Sequence, residues 1–220
     1  MKHSEGLALV TTINEKCRVC YTCVRECPAK AIRIADGQAE VIEERCIGCG
    51  NCVRVCSQKA KRVLAGDARV NEVLAGTAPV AACIAPSFPA EFADLEAGRL
   101  VGMIRALGFQ YVVEVAFGAD LVARAFRNLL HDDPKGRYIA TSCPAVVGFV
   151  ERFHPKLVDR LAPIVSPMVA MARVMRRLHG ENLQVVFIGP CIAKKGEGAS
   201  KQVEGDVDAV LTFRELREMF

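Results

Sequence analysis

Eight of the chain's eleven cysteines fall in two matching runs, CRVCYTCVRECP at 17–28 and CIGCGNCVRVCS at 46–57, offset by 29 residues. Both read C-x2-C-x2-C-x3-C. Three thiols at i, i+3 and i+6 can curl around one iron–sulfur cluster, while the fourth leaves the loop and reaches across to the neighbouring cluster. The expected ligand sets are therefore interleaved: Cys17, Cys20, Cys23 and Cys56 for one [4Fe-4S] cluster, and Cys46, Cys49, Cys52 and Cys27 for the other. The chemistry of such a pair is single-electron transfer. Zinc knuckles also use C-x2-C, but a third and fourth cysteine at these offsets, twice, are not what a tetrahedral site needs. The second run ends Cys56-Ser57 where the first has Cys27-Pro28, which removes no ligand.

Three cysteines remain. Cys83 lies inside the apolar run VAACIA and reads as a small buried hydrophobe. Cys143 and Cys191 each follow an apolar run directly, in a Ser-Cys-Pro and a Pro-Cys turn. Proline after Cys143 suits the first position of a helix. The thiol would then sit at a helix N-terminus, whose partial positive charge favours a thiolate or an anionic cluster. Taken alone, each of these two reads as structural. Together they lie just past strand ends, where α/β folds place their sites.

The elements that must position these residues come in two patterns. Between the cysteine runs, AIRIADGQAEVIEE alternates apolar and polar residues around Asp36-Gly37, a hairpin signal. From Ala78 onward short apolar runs alternate with helical stretches, which predicts α/β organisation. Strands are expected at Val80 to Ile84, Tyr111 to Phe117, Tyr138 to Ser142, Gln184 to Ile188 and Val207 to Thr212. Leu100, Met103, Ile104 and Leu107 share one helix face. A second helix from Ser166 to His179 places Met168, Met171, Met175 and Leu178 on a core-facing stripe. The expected layout is a ferredoxin-like α+β module at 1–65, a linker at 66–77, and an α/β domain over 78–220 that ends within the first turns of a helix. The chain thus reads as a piece of something longer.

With 220 residues and 51% hydrophobic content there is room for a real core. The formal charge of +4 arises wholly before residue 65, where 11 basic residues face 7 acidic ones; the remainder balances at 18 against 18. A [4Fe-4S] core with four thiolates carries about −2 when oxidised, so two clusters would cancel the excess. No nucleic-acid patch is read from it. No apolar run approaches the roughly 18 residues that span a bilayer, and the N-terminus lacks the features of a signal peptide, so the expectation is a cytoplasmic protein without membrane or nucleic-acid partners.

ATSCPAVVGFVERFHPKLVDRLAPIVSPM and FIGPCIAKKGE resemble the first two active-site signatures of the iron-only ([FeFe]) hydrogenases, and EVAFGADLVAR and Ala85-Pro86-Ser87 fit the same domain. The resemblance implies a hydrogenase-type α/β domain behind the ferredoxin module. It further implies a third [4Fe-4S] cluster joined to a two-iron subcluster that acts on H2 and protons. In that likeness Cys143 and Cys191 are two cubane ligands, Lys194 hydrogen-bonds a cyanide of the two-iron unit, and Pro86 and Ser87 line the other cyanide. The remaining two cysteine ligands belong to a third signature, and no cysteine follows Cys191. The full cofactor is thus expected to be completed by residues beyond 220.

The departures bear on rate. Catalytic members of the family carry a proton-relaying cysteine where this chain has Ser142, and Ala125, Asn128 and Ala162 stand where the relay has two carboxylates and a hydroxyl. Gly189 replaces a methionine before Pro190-Cys191. A serine hydroxyl is a far poorer proton carrier near pH 7 than a thiol. The resemblance therefore implies a slow, sensory variant with a redox partner protein or a downstream signalling domain. The alternative is an electron-transfer or cluster-assembly relative without the two-iron site. Lys194 and Ala85-Pro86-Ser87 would serve the two-iron unit, which favours the first expectation.

Overall fold

The computed structural model describes residues 8–220, so most of the N-terminal stretch read for targeting features lies outside the described residues. They form two compact units. One takes the chain up to Leu64 together with Cys143–Asp159 and Cys191–Lys201; the other takes Ala65–Ser142, Arg160–Pro190 and Gln202–Phe220. No helix among the described residues is long and apolar enough to cross a membrane.

The first unit begins with strand β1 (Val10–Thr12), helix α1 (Thr22–Glu26), strands β2 (Ile32–Ala35) and β3 (Gln38–Val41), helix α2 (Asn51–Arg54) and strand β4 (Lys61–Val63). β2 and β3 form the expected hairpin, with Ile32 opposite Val41. Asp36 and Gly37 both take positive φ, 47° and 70°, as the two-residue turn demands. β1 pairs antiparallel with β4, Thr12 opposite Lys61. The backbone repeats with the sequence: left-handed residues recur at Val19 and Gly48, Tyr21 and Gly50, and Lys30 and Lys59, each pair 29 apart. A side chain in that region costs on the order of 1 kcal/mol, so its recurrence marks a constraint imposed by the cysteine loops.

In the second unit helix α3 (Asp67–Ala75) precedes β5 (Val80–Ile84), followed by α4 (Phe88–Glu91), α5 (Ala97–Ala106), β6 (Tyr111–Glu114) and α6 (Ala116–Asp132). The chain then adds α7 (Pro144–Phe153) to the first unit, and α8 (Pro167–His179) and β7 (Gln184–Gly189) to the second. α9 (Ala193–Gly198) belongs to the first unit, while β8 (Ala209–Thr212) and α10 (Phe213–Met219) complete the second. The four strands make one parallel sheet in the order β6-β5-β7-β8. Every residue of β5 is buried, as expected of a central parallel strand covered on both faces. The core gathers Phe92, Leu100, Ile104, Phe109, Met168, Leu183, Ile188, Leu211 and Leu216.

Several expectations need correction. The 66–77 stretch is mostly helix: Val70 and Val73 of α3 are buried, and α3 packs on β8. The strand expected over 111–117 ends at Glu114. Val115 gives its N–H to Ile84 O and accepts from Ala119 N, so the chain turns from sheet to helix there. Residues 138–142 form no strand of the sheet. Ile139 makes an isolated bridge with Leu161, and Thr141 spends its hydroxyl on the carbonyls of Ala162 and Ile164. β8 starts at Ala209 rather than Val207. Leu178 is 69% exposed, because the buried face of α8 centres on Met168, Ala172 and Met175 and ends before its last turn.

Candidate functional site

The eight cysteines of the first unit surround two hollows. Cys17, Cys20, Cys23 and Cys56 line one. Cys27, Cys46, Cys49 and Cys52 line the other. Each hollow thus takes three cysteines from one run and the fourth from the other. The backbone N–H of Ala31 donates to Cys27 Sγ and that of Ala60 to Cys56 Sγ, both at 3.2 Å. Such donors compensate the negative charge of metal-bound thiolates. Among the described residues no three His, Cys, Asp or Glu side chains could hold a single metal ion. Each donor set is four thiols around one apolar hollow, a set that fits a [4Fe-4S] cube.

Burial pushes the Cys23 and Cys46 thiols up and Cys52 to about 11. A hydrogen bond with the Thr22 hydroxyl pulls the exposed Cys20 thiol down. Cluster assembly must displace the protons on the buried thiols, since the bound form is the thiolate.

The loop of Cys46 to Cys52 is shaped by two glycines. A Cβ on Gly48 would lie 2.7 Å from Leu9 Cδ1 and 3.1 Å from Ala193 Cα; on Gly50 it would lie 2.8 Å from Ile192 Cδ1. The segment that follows Cys191 therefore packs directly on the loop around the second hollow. α7 and α9 also pack together. Arg45 clamps α7, its guanidinium 5.0 Å from the Phe153 ring centroid while it donates to the carbonyls of Ala29 and Lys30.

Cys143 caps the N-terminus of α7 with Pro144 at the first helical position, as the motif predicts. It is exposed, and Cys191 is half-buried. Both belong to the first unit. Lys194, on α9, is 8% exposed and pairs with Glu197 at 2.6 Å. That carboxylate was missed in the sequence, although Lys-x-x-Glu at helical spacing was its signal.

The other candidates lie in the second unit. The C-terminal ends of β5 and β7 run side by side, Ala85 N donating to Ile188 O at 2.8 Å. There the strand order reverses, the place where open α/β sheets bind ligands. Pro86 and Ser87 leave β5 at this point and are not buried. A Cβ on Gly189 would come within 2.7 Å of the Phe187 ring and 2.9 Å of Ala85 Cβ, so only glycine fits the present packing. Ser142 ends the 138–142 segment in the same unit. Ala125 and Asn128 lie one turn apart on α6, and Ala162 is buried.

Residues 78–220 match the family model of the C-terminal domain of the iron-only hydrogenase large subunit, and residues 9–57 match that of the 4Fe-4S dicluster domain. The chain is 28% identical to iron hydrogenase 1 of Clostridium pasteurianum over 67% of its own length and 28% of that protein. It is 31% identical to the periplasmic [Fe] hydrogenase large subunit of Nitratidesulfovibrio vulgaris, over 98% of this chain and 58% of that one. A cytosolic Fe-S cluster assembly factor of Scheffersomyces stipitis is 29% identical over 51% of this chain and 24% of its own. The chain therefore spans between about a quarter and somewhat over half of these relatives.

Proposed function

The chain belongs to the iron-only hydrogenase large-subunit family, with a 4Fe-4S dicluster domain in front, and on that premise we propose that it reacts with H2 in a slow, sensing role. Two [4Fe-4S] clusters pass single electrons between the hydrogen-reacting centre and a redox partner or signalling domain. The observation that carries this reading is the pair of crossed cysteine hollows with the Cys191 segment packed on the loop of one of them.

Each residue has a part. Cys17, Cys20, Cys23 and Cys56 hold the outer cluster, away from the loop on which the Cys191 segment packs. Cys46, Cys49, Cys52 and Cys27 hold the inner one. Cys143 and Cys191 supply two thiolates to a further cube, Cys143 at a helix N-terminus that favours negative charge. When bound, the cube with its two-iron unit supplies the chemistry that splits or forms H2. Lys194 donates hydrogen bonds to an anionic ligand there, and Glu197, 2.6 Å away, holds its ammonium in place. Pro86 and Ser87 shape the second anion pocket. Ser142 holds a proton at a hydroxyl, a poor carrier near neutral pH, which limits turnover.

The test uses a chain that carries the third signature's two cysteines as well: the oxidised protein, loaded anaerobically with iron, sulfide and the two-iron cofactor, is exposed to H2 and cluster reduction is followed by electron paramagnetic resonance. Slow reduction is expected, with Ser142→Cys faster by roughly 10²-fold. No reduction in a protein with its full iron complement would overturn the proposal. It would favour the cluster-assembly reading that the similarity to the Scheffersomyces protein suggests.

A further inference from the structure

The 29-residue repeat allows the two halves of the dicluster module to be compared position by position. Ala31 and Ala60 are equivalent, each N–H bonded to the fourth cysteine of its run. The next residues are Ile32 and Lys61. Ile32 faces Val41 across β2 and β3, and both line the hollow of Cys27, Cys46, Cys49 and Cys52. Lys61 faces Thr12 across β1 and β4 and lines the hollow of Cys17, Cys20, Cys23 and Cys56. An aliphatic pair in one half is thus an ammonium and hydroxyl pair in the other. Lys61 is only 8% exposed. Its Nζ donates to Thr12 Oγ1 at 2.6 Å and to Ala39 O at 3.4 Å, and the Thr12 hydroxyl donates to the same carbonyl. Both partners are neutral oxygens.

We propose that Lys61 is a redox-tuning residue whose buried ammonium makes the cluster held by Cys17, Cys20, Cys23 and Cys56 the more easily reduced of the two. This rests on the two-cluster reading above. Accepting an electron makes a [4Fe-4S] cluster more negative, and its potential follows local charge, hydrogen bonding and exposure to solvent. A cation in a poorly screened site stabilises the reduced form. The Ile32 and Val41 pair offers the inner cluster nothing comparable. The gradient draws electrons from the Cys191 side toward the cluster held by Cys17, Cys20, Cys23 and Cys56.

The experiment uses the whole chain, reconstituted anaerobically, with iron counted before an electrochemical titration monitored by electron paramagnetic resonance. Fewer than about eight irons in the two-cluster module of the wild type would sink the two-cluster reading itself. With both clusters present, Lys61→Met should lower the upper of the two potentials by about tenfold in the equilibrium constant for reduction, or 59 mV for one electron. Lys61→Arg, which keeps the charge, should leave it near the wild-type value. Should Lys61→Met lose a cluster, Lys61→Ile combined with Thr12→Val copies the pair that the other half already tolerates. Unchanged potentials in the neutral variants, or a fall in Lys61→Arg equal to that in Lys61→Met, would overturn the proposal. So would loss of a cluster in every neutral variant while Lys61→Arg stays intact, since the lysine would then serve folding.

Discussion

Cys83 sits fully out of water in the middle of β5, and burial pushes its thiol up to about 12. The folded chain therefore keeps this proton where the unfolded chain, with a thiol near 9, has lost it. Between about pH 9 and 12 the folded state binds more protons, so stability falls as pH rises, by about 1.4 kcal/mol per unit. Below pH 9 the effect vanishes. Cys83→Ala removes it and costs about 1 kcal/mol of packing instead. Urea unfolding should show the wild type ahead of the variant at pH 8 and level with it near pH 10. A gap that stays constant over that range would mean that the thiol is not shielded as its burial implies. The same residue scale shows how much of the site was legible. All eight cluster cysteines and their crossing were readable from spacing alone, because each loop closes within seven residues. Lys61 was overlooked, although it is the residue at which the 29-residue repeat departs from Ile32. Glu197 was overlooked beside Lys194, and the division of Cys143 and Ser142 between units has no local signal at all.

At the scale of elements, hydrophobic period read well where an element buries one clear face. β5, β7, the β2–β3 hairpin and α8 are all close to their expected bounds. The failures share a cause. β1 and β4 are three residues each and exist through a pairing about fifty residues apart, which no window can see. The apolar run at Tyr111 becomes helix after four residues because its pairing with β5 ends there. Two glycines separate packing from propensity. Gly118 of α6 lies against α8: a Cβ there would collide with the Pro167 carbonyl and come within 3.0 Å of Met171 Cβ. Gly102 of α5 has open space around the same position. Alanine gains about 1 kcal/mol over glycine in a helix. Gly102→Ala should therefore stabilise by about that amount. Gly118→Ala should destabilise by about 1–3 kcal/mol, as overpacking outweighs propensity. Thermal or urea denaturation of the two variants checks it, and equal shifts would show that α6 and α8 do not approach so closely.

At the scale of the whole molecule, the two units rely on different sources of stability. The second has a large core of aromatic and aliphatic side chains. The buried cluster of the first is Cys23, Cys27, Ala29, Ala31, Ile32 and Ala39, and the other buried apolar residues of that unit, such as Val10, Ala60, Val150 and Ala193, are small. A unit of this size with so little apolar burial needs staples, and cluster binding is then folding free energy. Removing iron should unfold the first unit and spare the second. The extent of that unfolding tests the interleaved division of the chain, which differs from a boundary near residue 65. Cys143–Asp159 and Cys191–Lys201 belong to the cluster-bearing unit although they lie far along the sequence. After chelation, trypsin should cut at Arg18, Arg25, Arg33 and Arg45, and also at Arg152 on α7 and Lys195 on α9. Arg176, whose guanidinium is mostly buried and pairs with Asp208 at 2.6 Å, should stay protected with the rest of the sheet-bearing unit. Mass spectrometry of the fragments distinguishes the cases. Cuts confined to residues before 65 would mean that α7 and α9 draw their stability from the second unit. Cuts at Arg152 and Lys195 that appear together with those at Arg18 to Arg45 would mean that the segments bearing Cys143 and Cys191 are held in place by the clusters they adjoin.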